Sequence, residues 1–398
     1  MSARDAIYLD WNAGAPLHPE SVKALSGLLE SRVALTGNPS SIHSYGRRVK
    51  CILSDARESI SWSLGNGIRP EQIFFTPSGT EANQIIIRSV LESAIAAKGE
   101  SGKNHVHWIT TGVEHASTLR MIEWAKTLGV SVSLLPVTKD GRPDISVLPE
   151  MLMDETALIS VIWVNNETGV ISDVNSLFKV ASKKNIFLHL DGAQAWGKQP
   201  LSLDPGMALA VSLSGCKIGA LSGTGALWIT DSAREKIRET DFRVGTENVL
   251  GIATLGAVAR VLNPEAWAKK VRPIMDYLED AVCRNIDGVI INGSANDRVA
   301  NTSNFTFDGI EGEGLVMALD LAGFSVSAGS ACLSGKTDPS HVLLAMGRTR
   351  AQAKASIRVS IGESTRLDCI EEFLNVLYVT VKHLRETQTR WRKMGCAP

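Results

Sequence analysis

The stretch from Val211 to Ile229, VSLSGCKIGALSGTGALWI, decides how the rest of the chain is read. An apolar run of strand character from Ala208 to Leu213 leads into Ser214-Gly215-Cys216-Lys217. A Gly/Ser-rich turn follows, and a second apolar run covers Ala226 to Ile229. The pattern presents one amine, that of Lys217, at the end of a strand. An amine held among small residues is partly desolvated, which suits Schiff-base chemistry with a carbonyl compound. Taken alone, a Lys in such a turn is more often simply solvated. The sequence on either side favours the chemical reading.

Upstream, an apolar strand, a polar motif at its C-terminal end and then a helix recur in order. Ile73 to Thr76 is followed by Pro77-Ser78-Gly79-Thr80-Glu81 and a helix from about Ala82 to Ala97. Small residues at a helix start expose backbone N–H groups that, with the Thr80 hydroxyl, suit a phosphate. Plain N-capping by Ser78 or Thr80 is the competing reading. The strand His105 to Thr111 ends at Glu114-His115, where His115 opens a helix. Leu158 to Val164 ends at Asn165-Asn166-Glu167, and Ile186 to Leu190 ends at Asp191-Gly192-Ala193-Gln194. Strands alternating with helices predict a mainly parallel sheet covered on both faces, with ligands beyond the carboxyl ends of its strands. Thr80, His115, Asn166, Asp191, Gln194, Ser214 and Lys217 should then converge on one crevice. A phosphate site, a carboxylate for a pyridinium nitrogen, an imidazole to stack on a ring and a reactive lysine together describe pyridoxal 5′-phosphate (PLP).

Composition narrows the alternatives. With 398 residues, 44% hydrophobic and 21% charged, the chain is long enough for two domains and a large core. A net charge of −1 with dispersed basic residues leaves no footprint for nucleic acid or an anionic membrane. No apolar run approaches the roughly 20 residues of a membrane span, and the N-terminus reaches charge at once, so a cytoplasmic location is expected. Six scattered cysteines, without a C-x-x-C pair or zinc spacing, read as free thiols and argue against a metal. Gly215, Gly219, Gly223 and Gly225 miss the G-x-G-x-x-G spacing, and no Walker-type loop is present.

Tyr8-Leu9-Asp10, Gly37-Asn38-Pro39, Gly79-Thr80-Glu81, Glu114-His115, Asn165-Asn166-Glu167, Asp191-Gly192-Ala193-Gln194 and Lys217 occur in that order. Gly245-Thr246-Glu247-Asn248, Ser330-Ala331-Cys332 and Ile357-Arg358-Val359-Ser360 follow. In these motifs nearly the whole chain resembles the cysteine desulfurases of the class V aminotransferase group. The resemblance implies an α/β fold of the fold-type I PLP-dependent transferases: a mainly parallel seven-stranded sheet in a large domain, 15–255, and a smaller α+β domain from 1–14 and 256–398. It implies that Lys217 carries PLP, Asp191 faces the pyridine nitrogen, His115 stacks on the ring, and Asn166 and Gln194 bind the O3′ side. Gly79, Thr80 and Ser214 would hold the phosphate, with Thr246 reaching the phosphate of a neighbouring subunit in a homodimer. Arg358 and Asn38 would clamp the substrate carboxylate, and Cys332 would be the nucleophile that takes sulfur from L-cysteine for an acceptor or scaffold protein. Two departures lie near the phosphate: Cys216 stands where the group has histidine before the lysine, and the Gly-rich segment before Arg243 is missing. A PLP-dependent β-lyase or aminotransferase on another amino acid, and a non-catalytic regulatory subunit, are the competing readings.

Past Gly251 to Val261, the sequence predicts a helix from Asn263-Pro264 to about Asn285, strands at Val289 to Asn292 and Asn301 to Phe307, and a helix over Glu313 to Ala322. The strand Phe324 to Ser327 leads into the small-residue segment Ala328 to Lys336, where Cys332 should be more accessible than a core thiol. Strand Ser356 to Ile361 carries Arg358. A long amphipathic helix opening at Thr365 buries Ile370, Phe373, Leu374, Leu377, Val381 and Leu384.

Overall fold

The computed structural model describes residues 6–31, 36–98, 105–200, 206–237, 245–328 and 338–393. Its central sheet has seven strands in the order Ile73–Thr76, Gly225–Ile229, Leu209–Ser214, Phe187–Asp191, Thr156–Ile162, His107–Thr111 and Ser131–Leu135. Gly225–Ile229 runs antiparallel to both neighbours, and the other pairings are parallel. The mainly parallel sheet is therefore present.

Period-two alternation sorts each central strand between two cores. Leu209, Val211 and Leu213 join the core formed with Leu53, Ala56 and Ile60 of helix Ser44–Leu64 and with Ile252 and Leu255 of helix Val249–Ala259. Ala210 faces the other way, toward Ile86 and Ile87 of helix Gly79–Lys98. Burial on both faces explains why the inner strands read as continuous apolar runs. On the first face two helices approach closely: a Cβ added to Gly256 would lie 2.6 Å from Ala56 Cα.

Ser131–Leu135 had no counterpart in the sequence reading. It is an edge strand whose first four residues are exposed or half-buried; Val130-Ser131-Val132-Ser133-Leu134 does alternate, but the reading placed no strand there. Helices Val174–Lys183, His341–Ala345 and Arg350–Lys354 likewise had no predicted range, and the single strand expected over Phe324 to Ser327 is two, Phe324–Ser325 and Ser327–Ala328, because its residues pair in different sheets. Helix Gly79–Lys98 begins three residues before Ala82, which places its first turn at the end of strand Ile73–Thr76.

The second sheet is antiparallel, in the order Ser327–Ala328, Ser356–Ser360, Thr302–Phe307 and Val289–Asn292. Helices Pro264–Asn285, Gly312–Leu321 and Leu367–Lys393 bury Met275, Leu278, Leu315, Phe373 and Leu377 with Phe305, Phe307, Ile357 and Val359 of the sheet. The N-terminal strand Ile7–Tyr8 pairs with Phe324–Ser325, and Asp10 bridges Ser360. From there the chain crosses to the central sheet: Ala15 N–H donates to Cys216 O at 2.8 Å, and His18 N–H to Gly219 O at 2.9 Å. These contacts lay residues 12–18 across the turn that holds Lys217.

Candidate active site

A cavity of about 310 Å³ opens beyond the carboxyl ends of the central strands. Gly79, Thr80, His115, Asn166, Asp191, Gln194, Ser214, Lys217 and Arg358 line it together with Asn12, Asn83 and Cys216. All the predicted residues but Arg358 arrive from five strand ends of the central sheet, with Gly79 and Thr80, Asp191 and Gln194, and Ser214 and Lys217 each sharing one. Such ends are the general location of ligand sites in open α/β sheets. Lys217 closes the 3₁₀ turn Gly215–Lys217 directly after strand Leu209–Ser214. Its Nζ donates to Ala13 O at 2.7 Å, so the N-terminal crossing positions the amine.

Asp191 is buried at the end of strand Phe187–Asp191. Its Oδ1 accepts from Ala193 N–H at 3.0 Å and its Oδ2 from Asn83 Nδ2 at 2.6 Å. Asn83 Nδ2 also donates to Ser117 Oγ at 3.0 Å, and Ser117 Oγ lies 2.8 Å from His115 Nδ1. His115 caps helix Ala116–Thr127, and its Nδ1 accepts the Ser117 backbone N–H at 3.2 Å. Burial holds the His115 pKa below the ordinary imidazole value, with Asp191 pulling the other way. The ring is therefore neutral near pH 7 and, with Nδ1 accepting, carries its proton on Nε2.

A second buried layer lies behind His115. Glu114 accepts the Thr111 hydroxyl at 2.6 Å and the Ile162 N–H at 3.0 Å, and burial pushes its carboxyl up to about 8. Its backbone oxygen meets His341 Nε2 at 2.9 Å. Glu167, raised by burial, accepts from Ser340 Oγ at 2.5 Å. These contacts tie the Asn165-Asn166-Glu167 and Glu114-His115 motifs to the start of helix His341–Ala345.

Arg358 enters from the second sheet. Its Nη2 donates to Asp10 Oδ1 at 2.5 Å and its Nη1 to Asn166 O at 2.8 Å, while its Nε is buried without a partner among the described residues. At the opposite end, the Gly79 position sits against Ser214: an added Cβ would lie 3.0 Å from Ser214 Cβ. Ser78 Oγ accepts the Glu81 N–H at 3.1 Å, so the N-capping reading holds for Ser78 and leaves Thr80 as the hydroxyl at the cavity. Cys216 Sγ lies 3.4 Å from Ser214 Oγ.

Two predicted residues stand apart. Asn38 is exposed, its Oδ1 accepting the Ser40 N–H at 2.9 Å, and Thr246 is exposed ahead of helix Val249–Ala259; neither lines the cavity. Cys332 lies outside the described residues, as does Arg243. The sequence reading missed Asn83, Asn12 and Lys198. Asn83 had a usable signal: it lies one helical turn after Gly79, on the same face. Asn12 and Lys198 meet only across the chain, where Lys198 Nζ donates to Asn12 Oδ1 at 2.9 Å, and no local pattern marks such a contact.

The sequence profile of the aminotransferase class-V family matches residues 7–373, a span that holds every residue lining this cavity. The chain belongs to the aminotransferase class-V family. Within this family it is 34% identical over 387 residues to "Cysteine desulfurase IscS" of Dictyoglomus turgidum, covering 95% of each chain. It is 36% identical over 409 residues to "Cysteine desulfurase" of Gluconacetobacter diazotrophicus, covering 99% of each. Against "Cysteine desulfurase NifS" of Azotobacter vinelandii identity is 33% over 397 residues, covering 98% of this chain and 96% of that protein. Among solved structures, the NifS-like protein from Rickettsia africae superposes with a TM-score of 0.78 at 27% identity, over 95% of this chain and 99% of that one. A second solved structure, "NIFS-LIKE PROTEIN", reaches a TM-score of 0.82 at 25% identity, over 95% of this chain and 100% of that one.

Proposed function

We propose that this protein is a PLP-dependent L-cysteine desulfurase, which converts L-cysteine to L-alanine and leaves a persulfide on Cys332. The observation that carries the reading is the convergence of Lys217, Asp191, His115, Gln194 and Arg358 on one cavity. The names of the nearly full-length relatives agree with it.

The residues present fit the cofactor. Gly79, at the start of a 20-residue helix, and Ser214, at the end of strand Leu209–Ser214, make a small-residue cradle for a phosphate. Asp191 offers a buried carboxylate to a protonated ring nitrogen, and Lys217 an amine for the aldehyde. Two buried atoms on lining residues, Asn83 Oδ1 and Arg358 Nε, have no partner among the described residues. Bound there, PLP supplies an electron sink for chemistry at the substrate Cα and Cβ.

The chain's own groups do the rest. Arg358 binds the substrate carboxylate, for which a guanidinium edge is suited. Lys217 Nζ would hold the cofactor aldehyde and, when free, would accept the substrate's Cα proton. Asp191 would keep the ring nitrogen charged, and neutral His115, with its proton on Nε2, would pack against the ring. The Cys332 thiolate attacks the substrate sulfur: the S–S bond forms as the Cβ–S bond breaks, and the electron pair left on carbon takes up a proton. Oxidation of the thiol to the persulfide balances reduction of Cβ, so no external oxidant is needed.

The same reading divides the chain into a PLP-binding domain over 15–255 and a smaller domain from 1–14 and 256–398. It makes the enzyme a homodimer in which Thr246 serves the partner's phosphate site, assigns Asn38 to the substrate carboxylate beside Arg358, and passes the persulfide to an acceptor or scaffold protein. It places the enzyme in the cytoplasm, where the free thiols of Cys51, Cys216, Cys283 and Cys369 persist. Among the described residues no helix is long and apolar enough to cross a membrane. The test is an absorbance spectrum of the purified protein before and after L-cysteine. A visible band that L-cysteine shifts is expected; a spectrum without one contradicts the reading.

A further inference from the structure

Lys198 is a fully buried lysine that touches neither Asp191 nor Arg358 and does not line the cofactor cavity. It lies one helical turn's spacing after Gln194, in the wall of a larger cavity of about 670 Å³ that it shares with Trp11, Lys217 and Trp267. Its Nζ donates to two side-chain amide oxygens, Gln194 Oε1 and, at 2.9 Å, Asn12 Oδ1. Burial depresses its pKa, with Lys217 and Arg358 acting in the same direction. Protonated or neutral, the amine has at least two N–H groups to give, so both contacts are made in either state.

Those contacts settle an ambiguity that every glutamine carries. A carboxamide has nearly the same shape in its two orientations, and its neighbours decide which atom faces where. Because the amine turns Gln194 Oε1 toward itself, Nε2 is the atom left to donate to Asn12 O at 2.9 Å, with a second N–H to spare. Asn12 is fixed in the same way. Its Oδ1 takes Lys198 and, at 3.1 Å, Asn301 Nδ2, and its Nδ2 donates to Thr302 Oγ1 at 2.8 Å and Asn166 O at 3.2 Å. From the geometry we infer that Lys198 is a positioning residue: by holding Oε1 inward it makes Gln194 present a donor, never an acceptor, to the cavity. The ligand group that suits such a face is an oxygen anion on the cofactor ring. With the amine removed, Oε1 is a buried acceptor without a donor, and only the Nε2 bond to Asn12 O still favours the present orientation. The inference rests on the PLP reading of the cavity and concerns a residue that reading does not use.

The test is a double-mutant cycle on PLP affinity, measured by equilibrium titration of apoprotein and by the position of the visible band. Lys198→Met keeps the length and volume of the side chain without its donors, and Lys198→Gln serves if the Met variant does not fold. Lys198→Met is expected to weaken PLP binding roughly tenfold, the scale of one hydrogen bond to a charged group, and to shift the band. Gln194→Leu should do the same. In the Gln194→Leu background, Lys198→Met should then have almost no further effect, because Lys198 acts through that amide. Equal effects of Lys198→Met in both backgrounds, or none in either, overturn the inference while leaving the PLP reading intact. Failure of the wild-type protein to bind PLP overturns both.

Discussion

Nδ2 of Asn83 lies 2.6 Å from Oδ2 of Asp191 and also reaches Ser117 Oγ, so one amide joins the buried carboxylate to the serine that holds His115. Asp191 and His115, 76 positions apart, are thereby set by one residue of a third element. The two are expected to respond differently to mutation. Asp191→Asn removes the charge that serves the ring nitrogen and should lower turnover on the order of 10²-fold while retaining some PLP. Asn83→Leu removes only the support and should cost roughly tenfold. Steady-state rates with L-cysteine decide it, and near-normal turnover in Asp191→Asn removes that carboxylate from the mechanism.

The Asp10–Arg358 pair predicts a separation of stability from binding. Both side chains are largely buried, at 17% and 6% exposure, so removing one partner leaves the other charge uncompensated. Asp10→Asn should destabilise the fold by about 3 kcal/mol in urea titrations. Arg358→Lys keeps the charge but loses the planar fork, and should raise KM for L-cysteine at least ~10-fold with a smaller change in kcat. An unchanged KM would take Arg358 out of substrate binding.

Burial of ionisable groups sets the pH profile of stability. Glu114 keeps its proton in the fold up to about pH 8, whereas an unfolded Glu releases it near 4.5, so stability falls as pH rises through that window. His189, pushed by burial to about 3 from 6.5, stays neutral in the fold while the unfolded chain takes up a proton, so stability falls as pH drops below 6.5. Between roughly pH 4.5 and 6.5 the two effects oppose, and the maximum should lie there. Each group contributes a slope of about 1.4 kcal/mol per pH unit in its window. Glu114→Gln should flatten the alkaline limb between pH 6.5 and 8 in urea titrations; an unchanged slope contradicts the assignment.

Cys216 tests the departure near the phosphate. It lines the cavity beside Ser214, at the position where the resemblance to cysteine desulfurases implies a histidine before the lysine. Cys216→His should tighten PLP binding by adding a donor at that end. Unchanged affinity in an equilibrium titration would show that the neighbouring groups already satisfy the phosphate.

These predictions lean on residues of unequal legibility. Val211, Leu213 and Trp228 are buried in strands covered on both faces, and that burial writes uninterrupted apolar runs into the sequence. The motifs at the ends of those strands bring Asp191, His115, Asn166 and Lys217 to one cavity, since chain order and strand polarity fix where they meet. Ser131–Leu135 escaped although Val130-Ser131-Val132-Ser133-Leu134 alternates, because the reading followed polar motifs at strand ends and this edge strand has none. Asn12 and Lys198 escaped because their partnership spans 186 positions and depends on how the N-terminal segment crosses the sheets. Asn38 and Thr246 carry motifs of the resemblance yet sit outside the cavity; in the proposed homodimer Thr246 would serve the partner subunit.

The central claim is that Cys332 takes sulfur from L-cysteine, and the products of the reaction test it most directly. Wild-type protein and Cys332→Ala are incubated with L-cysteine and a reductant, alanine and pyruvate are quantified, and persulfide is mapped by mass spectrometry. The account predicts alanine and a Cys332 persulfide from the wild type, and neither from Cys332→Ala, which still binds PLP through a borohydride-reducible link to Lys217. Pyruvate as the main product, or alanine undiminished in Cys332→Ala, would contradict it.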